Sequence, residues 1–554
     1  MSATSAAIAQ ILLLGALLGA CVVPLGSYMA QTYQSGPHLR LERLTYRALR
    51  IDPDADQRWS TYAVSVLGFS LASVVFLFAF GRLQDLLPLD LHLPALPSDG
   101  AWNTAVSFTT NTNWQWYSGE TTVGHLLQMS GLTVQNFASA AVGMAVAVAF
   151  ARGLGRSEAG ARVGNFWRDL VRGTVRILLP IAFVAAVVFV ALGVVQNFFA
   201  PHEITTLAGH GQHVIGGPFA SQEAIKELGT NGGGPLNANS AHPYESPTPL
   251  TNLVQVFLIL LIPLALTRTY GIVVGDRRQG WAVLAVMVTL LTISVALLTW
   301  AELAGPGTAP HAAGAAMEGK ETRFGLATSA LFAAVTTGTS TGAVNAMHDS
   351  LTAPGGGIAL FNMMLGEIAP GGVGSGIYGM VVLAVVTVFV AGLMVGRTPE
   401  YLGKKIGRGE MVLIAAYVLT TPALVLAGSA LALSVPDGLA GLQESGPHGL
   451  TEAVYAVTSA ANNNGSAFGG LTSGTPFWNT LLGLCMLLGR FLPIVFVLAL
   501  AGRFAAATRV PPSSGTLQTH TPLFSGLLGA VALVLVGLTY VPVLLLGPIV
   551  ESLS

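Results

Sequence analysis

Long apolar runs alternate with short polar ones from residue 6 to residue 547. Runs of roughly 20 apolar residues, the length that crosses a bilayer as a helix, fall near 6–29, 60–82, 124–150, 174–197 and 248–270. They recur near 280–303, 374–396, 411–434, 477–502 and 522–547. The pattern predicts an all-α polytopic membrane protein with ten transmembrane helices. Leu18-Gly19-Ala20-Cys21 resembles a lipoprotein cleavage box, but residues 1–8 hold no Lys or Arg and the apolar run continues to Met29. The first run therefore reads as a retained helix and not as a signal peptide.

Four polar interruptions share one composition: Thr110-Asn111-Thr112-Asn113, Gly229-Thr230-Asn231-Gly232-Gly233-Gly234, Ser340-Thr341-Gly342-Ala343 and Asn463-Asn464-Gly465-Ser466. Anchored on Thr112, Gly232, Gly342 and Gly465, they recur at intervals of 120, 110 and 123 residues. Each follows a related run, Ala105-Val106-Ser107, Ala334-Val335-Thr336 and Ala456-Val457-Thr458 closely and Ala224-Ile225-Lys226 loosely. A near-constant period with one polar loop per unit signals internal repetition. Four pseudo-symmetric helix–pore-loop–helix repeats are expected at 60–150, 174–270, 280–396 and 411–502, within a single membrane domain spanning 1–554. The extra helices 6–29 and 522–547 flank them.

Non-helical backbone at membrane depth is tolerated only where protein or water satisfies it. Four such loops around an axis would present carbonyl oxygens that replace an ion's hydration shell. Close helix packing through small residues explains one such loop equally well, but not four in register.

Only 9% of the 554 residues are charged, against about 25% in soluble domains, which excludes a soluble enzyme. Cys21 and Cys485 both lie in apolar runs and support neither a disulfide framework nor a metal site. Of the 25 Lys and Arg residues, twenty fall in the loops after odd-numbered helices, Arg397 among them, and four in the remaining loops. By the positive-inside rule both termini and all four polar loops lie on the external face. The polar insert 198–247 is expected to form an ordered external cap.

Gly allows the positive φ that aims carbonyls inward, Asn tolerates left-handed backbone, and Thr adds hydroxyl oxygen. No Asp or Glu lies in the four anchor tetrapeptides. A ring of neutral dipoles favours a weakly hydrated monovalent cation over Ca²⁺ or Mg²⁺. Arg490, the remaining basic residue, lies inside the ninth predicted helix. An arginine at helix centre costs about 2.5–3.5 kcal/mol on insertion scales, so it must face a pore or a partner helix. Glu367, in Gly366-Glu367-Ile368-Ala369-Pro370-Gly371-Gly372, is the available opposite charge. That run should break the seventh segment, as a gate or side exit or as an external re-entrant turn. None of the four lysines completes a phosphate-binding loop or an Asp-Lys-Thr-Gly motif, so no ATP site is expected on this chain.

The sequence resembles the potassium-binding A subunit (KdpA) of the bacterial Kdp-type potassium-transporting ATPase. Thr109 to Gln115, Gly229 to Gly234, Ala343 to Ser350 and Asn462 to Phe468 carry the resemblance. It implies a K⁺-channel-like fold in the bacterial inner membrane and a K⁺ filter at Asn111, Thr230, Gly232, Thr341, Gly342, Asn463 and Gly465. Thr112, Asn231 and Asn464 complete the expected K⁺ ligand set from within the same loops. Gln115, Glu367 and Arg490 resemble the family's vestibule and pore residues. K⁺ would pass through an intramembrane tunnel to a P-type ATPase subunit, with two small accessory subunits, the lipid bilayer and no nucleic acid as further surroundings. The chain departs from the family at Thr341, where Cys is common, and at Pro235-Leu236, where aromatic residues are common. A self-sufficient K⁺ transporter or channel of the Trk/Ktr class is the competing expectation. An intramembrane enzyme is disfavoured, because no paired catalytic groups lie in the predicted helices.

Overall fold

The structure is a computed structural model that describes residues 3–157, 160–304, 316–394, 396, 398–511 and 516–553. Arg397 of the basic count lies outside the described residues. Ten described helices are long and apolar enough to cross a membrane: Ser5–Gln34, Trp59–Arg82, Leu127–Gly155, Phe166–Ala191, Pro249–Val273, Arg277–Leu303, Ser375–Met394, Arg408–Ser434, Pro476–Ala506 and Pro522–Leu553. Hydropathy locates them because a helix in hydrocarbon must close its own backbone hydrogen bonds. The third and fifth spans are the most enclosed, whereas the first, fourth, eighth and tenth turn most of their apolar side chains outward. Such outward leucines and valines suit a lipid surface.

The fourth span departs from expectation, running Phe166–Ala191 rather than 174–197. Asn165 caps its start by accepting the Arg168 N–H at 3.1 Å. Its basic first turns are absorbed by protein: Arg172 donates to the Thr32 and Ser35 carbonyls, and Arg176 pairs with buried Glu42. At the far end Gly193 adopts φ 96°. Val195 then leaves the helix, donating to the Tyr244 carbonyl and accepting from the Ala220 N–H. The apolar residues past Ala191 thus serve the insert and not the helix. The insert itself is ordered, with a hairpin of His202–Thr205 against Gly211–Val214 and a short turn at Asn239–Ala241.

Four shorter helices, Ser98–Thr109, Phe219–Leu228, Leu326–Gly338 and Gly446–Asn462, each end at one of the polar loops. They complete four helix–pore-loop–helix repeats. In the third repeat the outgoing segment is broken into Ala353–Met364 and Ser375–Met394. The ninth span packs on the third, the eighth and the first and fourth pore helices, and so runs alongside the loops at the centre.

Candidate functional site

Each pore helix ends with the same backbone device. The N–H groups of Thr112, Asn231, Thr341 and Asn464 donate to the carbonyls of Ser107, Lys226, Thr336 and Ser459 at 3.0, 3.0, 3.2 and 2.9 Å. Positive φ appears one residue earlier in every loop, at Asn111 (70°), Thr230 (48°), Ser340 (53°) and Asn463 (60°). It recurs at Asn113 (58°), Gly342 (84°) and Gly465 (109°), and in loop two one residue later, at Gly233 (67°). The structure therefore aligns Asn113, not Thr112, with Gly232, Gly342 and Gly465. The sequence anchor of the first loop lies one residue early, because Thr112 and Asn113 are equally polar and only the backbone conformation, with positive φ at Asn111 and Asn113, separates them.

The four loops converge. A Cβ added to Gly232 would lie 2.7 Å from the Thr112 carbonyl oxygen and 3.0 Å from those of Thr341 and Asn464. A Cβ on Gly342 would strike the Asn464 carbonyl, and one on Gly465 the Thr112 carbonyl. Carbonyl oxygens of three loops thus face the glycine of the fourth. The pore helices also aim their C-terminal ends at this point. Each such end carries roughly half a negative charge, so the field there favours a cation.

Side chains strap neighbouring loops together. Asn111 donates to the Thr230 carbonyl at 2.8 Å, Asn463 to Thr112 Oγ1 at 3.0 Å, and Ser340 to the Asn463 carbonyl at 3.0 Å. Ser139 of the third span donates to Asn111 Oδ1 at 2.7 Å. Gln115 makes a reciprocal pair with Gly234, its Nε2 donating to the carbonyl at 2.9 Å while its Oε1 accepts the N–H at 2.8 Å. Every residue singled out in the loops is buried or lies directly against buried backbone.

The break in the third repeat lies beside these loops. Val373 N–H donates to Thr230 Oγ1 at 3.0 Å, and Gly371 N–H to the Gly338 carbonyl at 2.8 Å. Glu367 is 2% exposed and accepts Asn464 Nδ2 at 2.8 Å through Oε1, while its Oε2 has no hydrogen-bond partner. These contacts tie the break to the filter-like loops.

Arg490 sits in the ninth span, 5% exposed, with Nη2 lacking a hydrogen-bond partner. Among the described residues it forms no ion pair, which argues against the helix–helix salt bridge. It lines a cavity of about 130 Å³ with Asn463, Met364, Tyr378, Tyr417 and Tyr540. Asn463 belongs to the fourth loop, so the cavity adjoins the loop cluster and extends between the seventh to tenth spans.

Reading the sequence missed Asn113 and Ser340. Asn113 is fully buried, with neither side-chain polar atom hydrogen-bonded. For Asn113 the signal was available: Asn111-x-Asn113 and Asn463-x-Gly465 place residues tolerant of left-handed backbone two apart.

Fold and site together define a four-repeat pore-loop membrane protein. The sequence matches the family described as Potassium-transporting ATPase A subunit over residues 12–553, and the chain belongs to that family. A Kineococcus radiotolerans relative is 60% identical over 554 residues, covering 100% of this chain and 99% of that one. A Streptomyces coelicolor relative is 57% identical, with 100% of both chains covered. Both are named potassium-transporting ATPase potassium-binding subunit. Among solved structures, the potassium transporter TrkH from Vibrio parahaemolyticus shares the fold, with a TM-score of 0.53 and 16% identity over 87% of this chain and 98% of that one.

Proposed function

We propose that this chain is the K⁺-binding and translocating subunit of an ATP-driven K⁺ uptake complex of the bacterial inner membrane. The observation that carries the reading is the convergence of the Thr112, Thr341 and Asn464 carbonyls on Gly232. Carbonyl dipoles arranged this way replace the hydration shell of a monovalent cation. The ligand set is Asn111, Thr112, Thr230, Asn231, Gly232, Thr341, Gly342, Asn463, Asn464 and Gly465, extended by Asn113 and Ser340. No carboxylate belongs to it, and Glu367 stands behind Asn464 as a support.

The arginine-rich loops face the cytoplasm, which leaves both termini and the four loops outside, so K⁺ enters past Gln115. Arg490 acts beneath the loops. Its guanidinium faces the cavity with a donor that has no hydrogen-bond partner. It raises the energy of a cation lingering there and limits backflow. The cavity and the break beside Glu367 form the way toward a P-type ATPase subunit, and small accessory subunits complete the assembly. The chain carries no phosphate-binding loop in its sequence, so hydrolysis belongs to the partner. The family match over residues 12–553 and the names of the relatives support this coupled reading over a self-sufficient Trk/Ktr-like transporter.

Purification from the native host tests the assignment. K⁺-stimulated ATP hydrolysis is expected to co-purify with this chain, together with a large ATP-hydrolysing subunit. The isolated chain is expected neither to bind nor to hydrolyse ATP, and vanadate-sensitive hydrolysis by the pure chain would sink the reading.

A further inference from the structure

The second pore helix breaks the fourfold pattern. Backbone register equates Lys226 with Ser107, Thr336 and Ser459. Three repeats thus carry a small hydroxyl residue where one carries an ammonium, and the other three pore helices contain no Lys or Arg.

Lys226 is wholly buried, and its Nζ lies 2.6 Å from Glu223, 3.1 Å from Glu245 and 3.6 Å from Glu227. It also donates to Asn239 Oδ1 at 3.0 Å. Lys226 and two of these partners each have a second task. The Lys226 carbonyl holds the Asn231 N–H at 3.0 Å, at the start of loop two. Glu245 Oε1 accepts the Leu236 N–H at 2.9 Å, just past the glycine run. Asn239 Nδ2 donates to the Gly233 carbonyl, and Asn239 Oδ1 also accepts the Val344 N–H of the third loop at 3.3 Å. One ammonium therefore couples the start of loop two, its exit and the neighbouring loop. Loop two also supplies Gly232, the point on which the other three loops' carbonyls converge. A shift of a few tenths of an ångström there resizes the whole cluster.

We propose that Lys226, with Glu223, Glu227, Glu245 and Asn239, is the positioning group that sets ion selectivity by pinning loop two against the other loops. The proposal rests on the reading of the loops as a K⁺ site. The cluster touches no ion: Lys226 acts through Asn231, Gly233 and Leu236. A buried charge stripped of one partner is strongly unfavourable, so the shell keeps a single arrangement and transmits little slack.

The test uses the complete ATPase complex carrying Asn239→Ala, Glu245→Gln, Lys226→Arg or Lys226→Met. Readouts are the half-saturating K⁺ concentration, the maximal rate, and the ranking of K⁺, Rb⁺ and Na⁺ as activators. Lys226→Met is expected to destabilise the chain, so Asn239→Ala and Glu245→Gln are the decisive variants. Both are expected to assemble, to raise half-saturating K⁺ about tenfold and to relax discrimination against Na⁺. Their maximal rates should stay near wild type, and Lys226→Arg should restore discrimination partly. A support role in folding alone would lower yield and leave the ion ranking untouched. The inference is overturned if the two variants assemble with wild-type K⁺ dependence and ranking, or if every variant fails to assemble. Gly232→Asp separates the two levels. If that change leaves K⁺ dependence intact, the K⁺ site itself is misassigned. If it abolishes K⁺ dependence while the cluster variants match wild type, only the selectivity role of Lys226 fails.

Discussion

Two buried ionic regions flank the converging loops, and they are built in opposite ways. Behind loop two, Lys226 is enclosed by three carboxylates and an amide, and Glu245 and Asn239 bond onward to loop backbone. Beneath loops three and four, Glu367 and Arg490 form no ion pair with each other or with any other described residue. The Arg490 guanidinium faces a cavity where Lys226 faces protein. A buried charge ringed by opposite charges rigidifies and specifies one arrangement, whereas a buried charge with no ion partner calls for a separate explanation. Under the proposed function, the first region serves shape and the second passage. Lys226 replaces, in one repeat only, the hydroxyl residue that Ser107, Thr336 and Ser459 supply in the other three.

Removing a charge should affect the two regions differently, and stability is the largest expected difference. Lys226→Met strands buried carboxylates and is expected to cost about 3–5 kcal/mol. Arg490→Gln removes a charge that already lacks an ion partner and should leave the melting temperature of the purified chain close to wild type. Equal losses in a thermal-shift measurement would erase the distinction between them.

Function should show the next largest effect. Gly232→Asp displaces three carbonyls and adds a charge, and is expected to lower apparent K⁺ affinity by about a hundredfold or more, some 2.7 kcal/mol. Retained uptake affinity and Na⁺ discrimination would remove loop two from the site. Arg490→Gln is expected to assemble and to change K⁺ dependence or the ratio of K⁺ transported to ATP hydrolysed several-fold. Wild-type behaviour in both would make Arg490 structural.

The smallest effect concerns a third ionic group, where the first turn of the fourth pore helix meets the last turn of the tenth span. His448 bridges Asp349 and Glu551 at 2.8 Å each, while Asp349 also accepts the Gly470 N–H at 2.8 Å. Hydrogen bonds from the imidazolium to Asp349 and then Glu551 push its pKa up to about 10 from 6.5. A raised folded-state pKa means the stabilisation is fully present below the unfolded value and is lost as pH rises through about 10. Wild type should therefore melt higher than His448→Gln at pH 6, with the gap closing toward pH 10.5. A pH-independent gap would show that the clasp works through packing on Phe468, whose ring stacks on His448 at 5.5 Å.

The ten spans and the four polar loops were legible in the sequence for a physical reason. A bilayer forces each segment to satisfy its own backbone, so length and apolarity alone identify it. Gly and Asn mark loops for an equally local reason, the left-handed backbone seen at Asn111, Asn463 and Gly465, whereas Thr230 holds that backbone against the preference of a β-branched residue. Where local preference did not discriminate, the sequence was silent or off by one. Thr112 and Asn113 are interchangeable until the folded backbone, with positive φ at Asn111 and Asn113, sets their register. The fourth span starts at Phe166 because Arg172 and Arg176 find partners near residues 32 to 42, which hydropathy does not register. Lys226 looked like a weak match to a repeat; its shell is drawn from residues up to 19 positions away and its influence reaches Val344. Chain chemistry determined that there are four loops and what they can offer. Only tertiary structure decided which carbonyls meet, which charges are enclosed and which face the cavity, because those depend on contacts between residues hundreds of positions apart, such as Asn463 with Thr112.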